Sequence, residues 1–159
     1  MTRPSVDVAV VMERETAPNR WEAWRHAPVE VVAHEEAFGS TPRVLRDDGR
    51  VRRTLHPGFR VELFKDECEG YGLNLSSGAP VWFVMWRSDD EDPSRAWPET
   101  VSLSYNEAGR WLDAQERVDN LPLPADVRDW LQAFNDAHYR PEPKQRSRAA
   151  SFRPLADRG

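Results

Sequence analysis

Few side chains in this sequence are of the types that make and break bonds, and their spacing suits such work poorly. Four histidines and one cysteine are present. None forms a Cys-x-x-Cys or His-Glu-x-x-His pair, so no metal site with ligands close in sequence is encoded. His34-Glu35-Glu36 reads as a polar strand end, His56 as the start of a turn before Pro57-Gly58, and His138 as a boundary residue on an apolar helix face. Cys68 lies in Asp66-Glu67-Cys68-Glu69, where adjacent carboxylates oppose thiolate formation. Ser76-Ser77-Gly78 reads as a turn, and the Gly-x-Ser-x-Gly elbow of serine hydrolases does not occur. The nearest approach to a phosphate-cradling loop, Gly70-Tyr71-Gly72, lacks both the third glycine and a following helix. Ser88-Asp89-Asp90-Glu91-Asp92 lacks the glycine and terminal Glu of a calcium loop and reads as solvated. These residues nominate no catalytic group, no cofactor site and no metal ligand.

Binding chemistry is better represented. The chain holds seven tryptophans. Two of them, Trp21 and Trp24, stand in Asn19-Arg20-Trp21-Glu22-Ala23-Trp24-Arg25 among charges instead of aliphatics. Partly exposed Trp beside Arg is the composition of interface hot spots. Trp82, Trp86, Trp111 and Trp130 sit in apolar patterns and are expected in the core. A second concentration follows residue 138, where His138-Tyr139-Arg140 leads into Pro141-Glu142-Pro143-Lys144. The nominated partner-binding residues are therefore Trp21, Trp24, Arg25, His138, Tyr139, Arg140 and Lys144.

The elements that must position these residues are mostly strands. Val6, Val8, Val10 and Met12 alternate with Asp7, Ala9 and Val11, and Val29 and Val31 repeat the period after Pro28. Arg43 to Arg46, Asp47-Asp48-Gly49 and Arg50 to Leu55 form an Asp-Gly hairpin. Further strands are expected at Phe59–Leu63 and, with glycines on one face, at Tyr71–Leu75. Val81 to Trp86 is apolar on both faces, which marks a central strand covered on two sides. Val101 and Leu103 point inward from the next strand, and there the period changes to that of helices. Ser104 and Glu107 have the spacing of a capping box for a helix through about Gln115, with Ala108, Trp111 and Leu112 inward. Leu121-Pro122-Leu123-Pro124 reads as a stiff connector. It leads to a helix carrying Val127, Trp130, Leu131, Phe134 and His138 on one face. The expected fold class is α+β: a mainly antiparallel sheet or partly closed barrel of about seven strands, followed by two C-terminal helices.

A chain of 159 residues fits one such domain, here residues 1–140, with a core large enough to dispense with staples. Residues 141–159 are Pro-rich and basic, carrying Lys144, Arg146, Arg148, Arg153 and Arg158 against Glu142 and Asp157. They read as a flexible tail. The net charge is −5 overall, so the body is acidic and does not favour nucleic acid. Of the 22 basic residues only Lys65 and Lys144 are lysine, a skew that GC-rich coding explains without function. The apolar run Val8–Met12 is too short for a secretion signal, and no run approaches the roughly 20 residues of a membrane span. With a single cysteine, the expected compartment is the cytoplasm.

Several segments are specific enough to suggest kinship. They are Phe83-Val84-Met85-Trp86-Arg87, Val101 through Asp113, Ala137 through Lys144, and near the N-terminus Val10-Val11-Met12-Glu13-Arg14 and Asn19-Arg20-Trp21. Over roughly residues 6–146 the chain resembles domain of unknown function 3305, a proteobacterial family whose genes are met near those of molybdenum-dependent formate dehydrogenases. The resemblance implies a non-enzymatic accessory role in maturing, assembling or regulating such an enzyme, with a dehydrogenase subunit or cofactor-insertion factor as protein partner. It transfers no catalytic residue. The alternatives are a small-ligand or cofactor-binding barrel, or an enzyme of unrecognised type, with Trp86, Gly70 and Gly72 near a pocket. A second alternative is nucleic-acid binding through the basic tail.

Overall fold

Period-two alternation over residues 5–16 builds a 12-residue strand, and the rest of the fold is arranged around it. A computed structural model describes residues 2–17 and 23–140. In it β1 (Ser5–Thr16) lies between β2 (Trp24–Ala33) and β4 (Val51–Glu62), and β3 (Arg43–Asp47) adds to the far side of β4. A second sheet places β5 (Val81–Ser88) between β6 (Ala96–Ser102) and β7 (Arg117–Pro122). All pairings are antiparallel. Three helices complete the α+β fold: α1 (Cys68–Leu75), α2 (Tyr105–Asp113) and α3 (Ala125–His138). The two sheets stay open, so the barrel closure considered from the sequence does not form among the described residues.

The main core fills the space between the sheets. Val8, Val10 and Val61 of the larger sheet meet Trp82, Val84 and Val101 of the smaller one, and Tyr71, Leu131 and Phe134 from the helices close one end. On the opposite face of β1, Ala9 and Val11 pack with Leu55 under Val29, Val32 and Phe38. β5 is central and buried from Trp82 to Trp86, as its two-sided apolarity requires. The Asp-Gly hairpin joins β3 to β4. Gly49 adopts the positive φ (86°) of the turn, and the Asp48 carboxylate accepts from the Arg50 and Val51 amides. Those amides and Arg46 hold that carboxyl well below its usual range.

Four expectations change. The strands expected at 50–55 and 59–63 are one strand, β4. It swells at Pro57-Gly58, where the register steps from Val10 opposite His56 to Val8 opposite Phe59. Gly58 supplies the positive φ (96°), and Pro57 has no amide to lose from the ladder. His56 is thus a strand residue, not the start of a turn.

Residues 71–75, expected as a strand, belong to helix α1. Its inward positions are Cys68, Tyr71 and Asn74, spaced by three, and Asn74 clamps the helix in place. Its Nδ2 donates to the carbonyls of Val81 and Leu103, and its Oδ1 accepts from the Val81 amide. Gly70 faces the N-cap of α2 so closely that a Cβ there would lie 2.1 Å from Ser104 Oγ.

The connector at 121–124 begins inside β7. In α2, Leu112 is 55% exposed instead of facing inward. The Ser104 cap of α2 is present: its hydroxyl accepts from the Glu107 amide. Glu107 itself is turned to the Ser102 hydroxyl, which in turn accepts from the Ser104 amide. No described helix is long and apolar enough to cross a membrane.

Candidate functional site

The inward face of the larger sheet changes character along its length. At the end where β1 begins it carries Val6, Val8 and Val10 with Phe59 and Val61. Beyond Val10 the same face carries Met12 and Arg14 from β1, His26 from β2, and Arg52, Thr54 and His56 from β4. With Ser94–Trp97 facing them, these residues line an open cleft of about 320 Å³ between the sheets.

Register explains how side chains so distant in sequence meet. Arg14 stands opposite His26 on one side and opposite Arg52 on the other, and Arg52 stands opposite Asp47. A row of His26, Arg14 and Arg52 therefore crosses three strands on one face before any carboxylate appears. Like charges directly opposite on adjacent strands are destabilising. On the outward face the same strands avoid this: Glu13 pairs with Arg53 at 2.8 Å, and Glu15 with Arg50 at 2.7 Å.

The cleft's cations are incompletely satisfied. Arg14 donates through Nη1 to the Ser94 carbonyl at 3.2 Å. Arg95 pairs with Asp89 at 2.9 Å. Arg52 Nε is fully buried and has no hydrogen-bond partner among the described residues. The Asp47 carboxylate lies 3.7 Å away, close enough for attraction but too far for a hydrogen bond. His26 Nε2 is 2.8 Å from the Pro93 carbonyl, and a carbonyl only accepts, so that nitrogen carries a proton. Burial lowers the pKa of His56.

Beside this cleft lies a second pocket of about 490 Å³ holding Trp24, Trp86 and Arg117, with Asp89 and Asp90 of the acidic loop along it. His26 belongs to both. Three Trp–Arg stacks gather at this end of the sheets. The guanidinium of Arg14 lies 4.5 Å from the Trp24 ring centre, Arg117 lies 5.1 Å from Trp86, and Arg95 lies 5.4 Å from Trp97. Trp86 also donates to Asp119 at 2.8 Å. Trp24 and Trp97 are half-buried, and Arg25 is exposed at the rim.

The nominated residues of the C-terminal half lie elsewhere. His138 packs on Phe134 with ring centres 4.5 Å apart and borders a hollow with Arg3, Phe64 and Asp66. Tyr139 packs against the core and near Gly72, and Arg140 is exposed, donating to the Tyr139 carbonyl. Leu63 bonds to Pro4 just before β1, so this end is separated from Trp24 by the length of β1, roughly 35 Å. The structure thus brings together Trp24 and Arg25 at one end and His138, Tyr139 and Arg140 at the other. Trp21, Lys144 and the tail expected at 141–159 lie outside the described residues.

The other weighed groups serve the fold. Gly70 and Gly72 allow α1 to approach Ser104 and Asn135. Cys68 is buried, and that burial, helped by Asp66 against an opposing Arg140, pushes its thiol upward. Tyr71 donates nothing to a cleft: its hydroxyl accepts from the Phe64 amide, and burial pushes its phenol up.

The sequence reading missed Arg14, Arg52, His56 and Trp97. Arg14 and Arg52 are separated by 38 positions, and only the β1–β4 register places them side by side. The available signal was the inward phase of β1, which puts Arg14 two residues beyond Met12. No curated protein and no solved structure matches the chain. A family model described as "Protein of unknown function (DUF3305)" matches residues 7–148, and the chain belongs to that family.

Proposed function

We propose that this protein is a non-enzymatic accessory protein that binds a protein partner through the Trp–Arg end of its sheets. The observation that carries the reading is the clustering of three Trp–Arg stacks there. Trp and Arg dominate the binding energy of interfaces. Stacking holds these long side chains in place before binding, which reduces the entropy lost on association. The adjoining Asp89 and Asp90 supply a charged rim. The resemblance read from the sequence names the partner class: a subunit of a molybdenum-dependent formate dehydrogenase, or a factor that inserts its cofactor.

The test is affinity capture of the tagged full chain from its own host under formate-oxidising growth, with mass spectrometry of the eluate. The reading predicts recovery of dehydrogenase subunits or insertion factors, reduced at least about tenfold by Trp97→Ala, a loss of about 1.4 kcal/mol in binding. An eluate without them, or recovery unchanged in that variant, contradicts it.

A further inference from the structure

We propose that the cleft between β1, β4 and β6 binds a small phosphorylated molecule, its phosphoryl dianion lying between the guanidinium groups of Arg14 and Arg52. This is a ligand site separate in chemistry from the docking of a protein partner.

Three observations on the same few residues lead there. The first is a pair of like charges: Arg14 stands opposite Arg52 across the ladder on the inward face, with His26 on its other side. Such an arrangement opposes folding unless an anion joins it, and the outward face shows that these strands otherwise place carboxylates to match their arginines. The second is the buried Arg52 Nε, a donor with no acceptor among the described residues. A buried donor left unmade is unfavourable; that nitrogen is itself out of a ligand's reach, but the Arg52 side chain as a whole stays 40% exposed and carries a charge that Asp47 at 3.7 Å only partly offsets. The third is the cleft itself. Its about 320 Å³ lies at the lower end of the range for small-molecule sites, roughly 300–1,000 Å³.

The lining also sets the ligand class. Arg14 makes no hydrogen bond to a carboxylate among the described residues, while Asp47 only partly offsets Arg52. Two guanidinium groups in this state match a doubly charged oxyanion better than a monoanion. Thr54 adds a hydroxyl, and Met12 and Trp97 add apolar wall, which gives an organic group something to pack on. A phosphomonoester is therefore expected to bind more tightly than inorganic phosphate. Glu13 borders the cleft but is engaged by Arg53, and Arg95 is engaged by Asp89. Neither is assigned a contact to the ligand.

The test uses the full chain and two probes, inorganic phosphate and glycerol 3-phosphate, titrated calorimetrically at ionic strength fixed with sodium chloride. Saturable binding of both is expected, with glycerol 3-phosphate the tighter. Arg52→Gln should weaken it at least about tenfold. Arg60→Gln, on the same strand but paired with Asp7 outside the cleft, should leave it unchanged. In parallel, the imidazole signals of His26 and His56 and the Trp97 indole signal of the unaltered protein should move saturably with either probe in NMR spectra. Binding of inorganic phosphate alone assigns the site to the free ion and overturns the phosphomonoester. No saturable heat with no movement of those rings overturns the site altogether, as does equal weakening by Arg52→Gln and Arg60→Gln. If Arg52→Gln does not fold, the ring signals of the unaltered protein decide the matter.

Discussion

The two ends of β1 are built from the same two sheets and have opposite characters. Where β1 begins, Val8, Val10 and Val61 meet Trp82 and Val84, and α1 and α3 drive Tyr71, Leu131 and Phe134 into the opening. Where β1 ends, the inward positions are Arg14, His26, Arg52 and His56, and what faces them is the segment Ser94–Trp97. The first end is optimised for burial. The second leaves a guanidinium donor unmade and sets like charges opposite one another, choices that oppose stability and that folding alone does not require. Departures of this kind concentrate at functional sites, where local rules are broken for another purpose. Difference in stability and difference in function should therefore run in opposite directions between the ends.

The largest effect belongs to the closed end. Leu131→Ala, at a side chain with 0% exposure, should lower unfolding free energy by about 2–5 kcal/mol, measured by urea denaturation. Asn74→Ala should follow at about 2–3 kcal/mol, because it strands the Val81 amide and the Val81 and Leu103 carbonyls. At the open end the sign should reverse. Arg52→Gln removes one of two facing guanidinium groups and should leave stability unchanged or raise it by about 0.2–1 kcal/mol. A loss above about 1 kcal/mol there would show that the arginine pair is structural, and would erase the contrast.

The smallest effect concerns pH. Burial lowers the pKa of His56, so the unfolded chain, with a value of about 6.5, takes up a proton before the folded one. The stability this provides is present above about pH 6.5 and lost as pH falls through the depressed folded value. Arg14, Arg52 and Arg95 also line the cleft, and Glu13 there is engaged by Arg53. The melting temperature of His56→Gln should fall less than that of the unaltered protein between about pH 7.5 and about 5.5.

What the sequence disclosed follows the same division. β5 was legible because six apolar residues in a row leave only a doubly covered strand. The hairpin was legible from Asp48-Gly49, and α2 from the Ser104 cap, because those signals act over three or four residues. α1 was hidden by its two glycines, which weaken helix propensity yet are demanded by the approach to Ser104 and Asn135. β7 was hidden because Asp119 and Asn120 suit neither period, and only its pairing with β5 makes it a strand. The cleft was hidden most deeply. Its residues come from β1, β2, β4, β6 and the loop before β6, and their meeting depends on register and on a bulge at Pro57-Gly58 that shifts His56 opposite Val10. Of the nominated partner residues, Trp24 and Arg25 lie beside that cleft. His138, Tyr139 and Arg140 were joined to them only by composition, and the fold places them at the other end.

The contrast between the ends is tested most directly by capturing partners from the native host with two variants side by side. Trp24→Ala alters a stacked ring at the open end, and Arg140→Ala alters an exposed side chain whose bond goes only to its neighbour's carbonyl. With both variants shown to be folded by circular dichroism, recovery of formate dehydrogenase components should fall at least about tenfold for Trp24→Ala and stay unchanged for Arg140→Ala. Equal loss in both would spread the working surface over both ends, and loss confined to Arg140→Ala would place it at the closed end; either result would contradict the account.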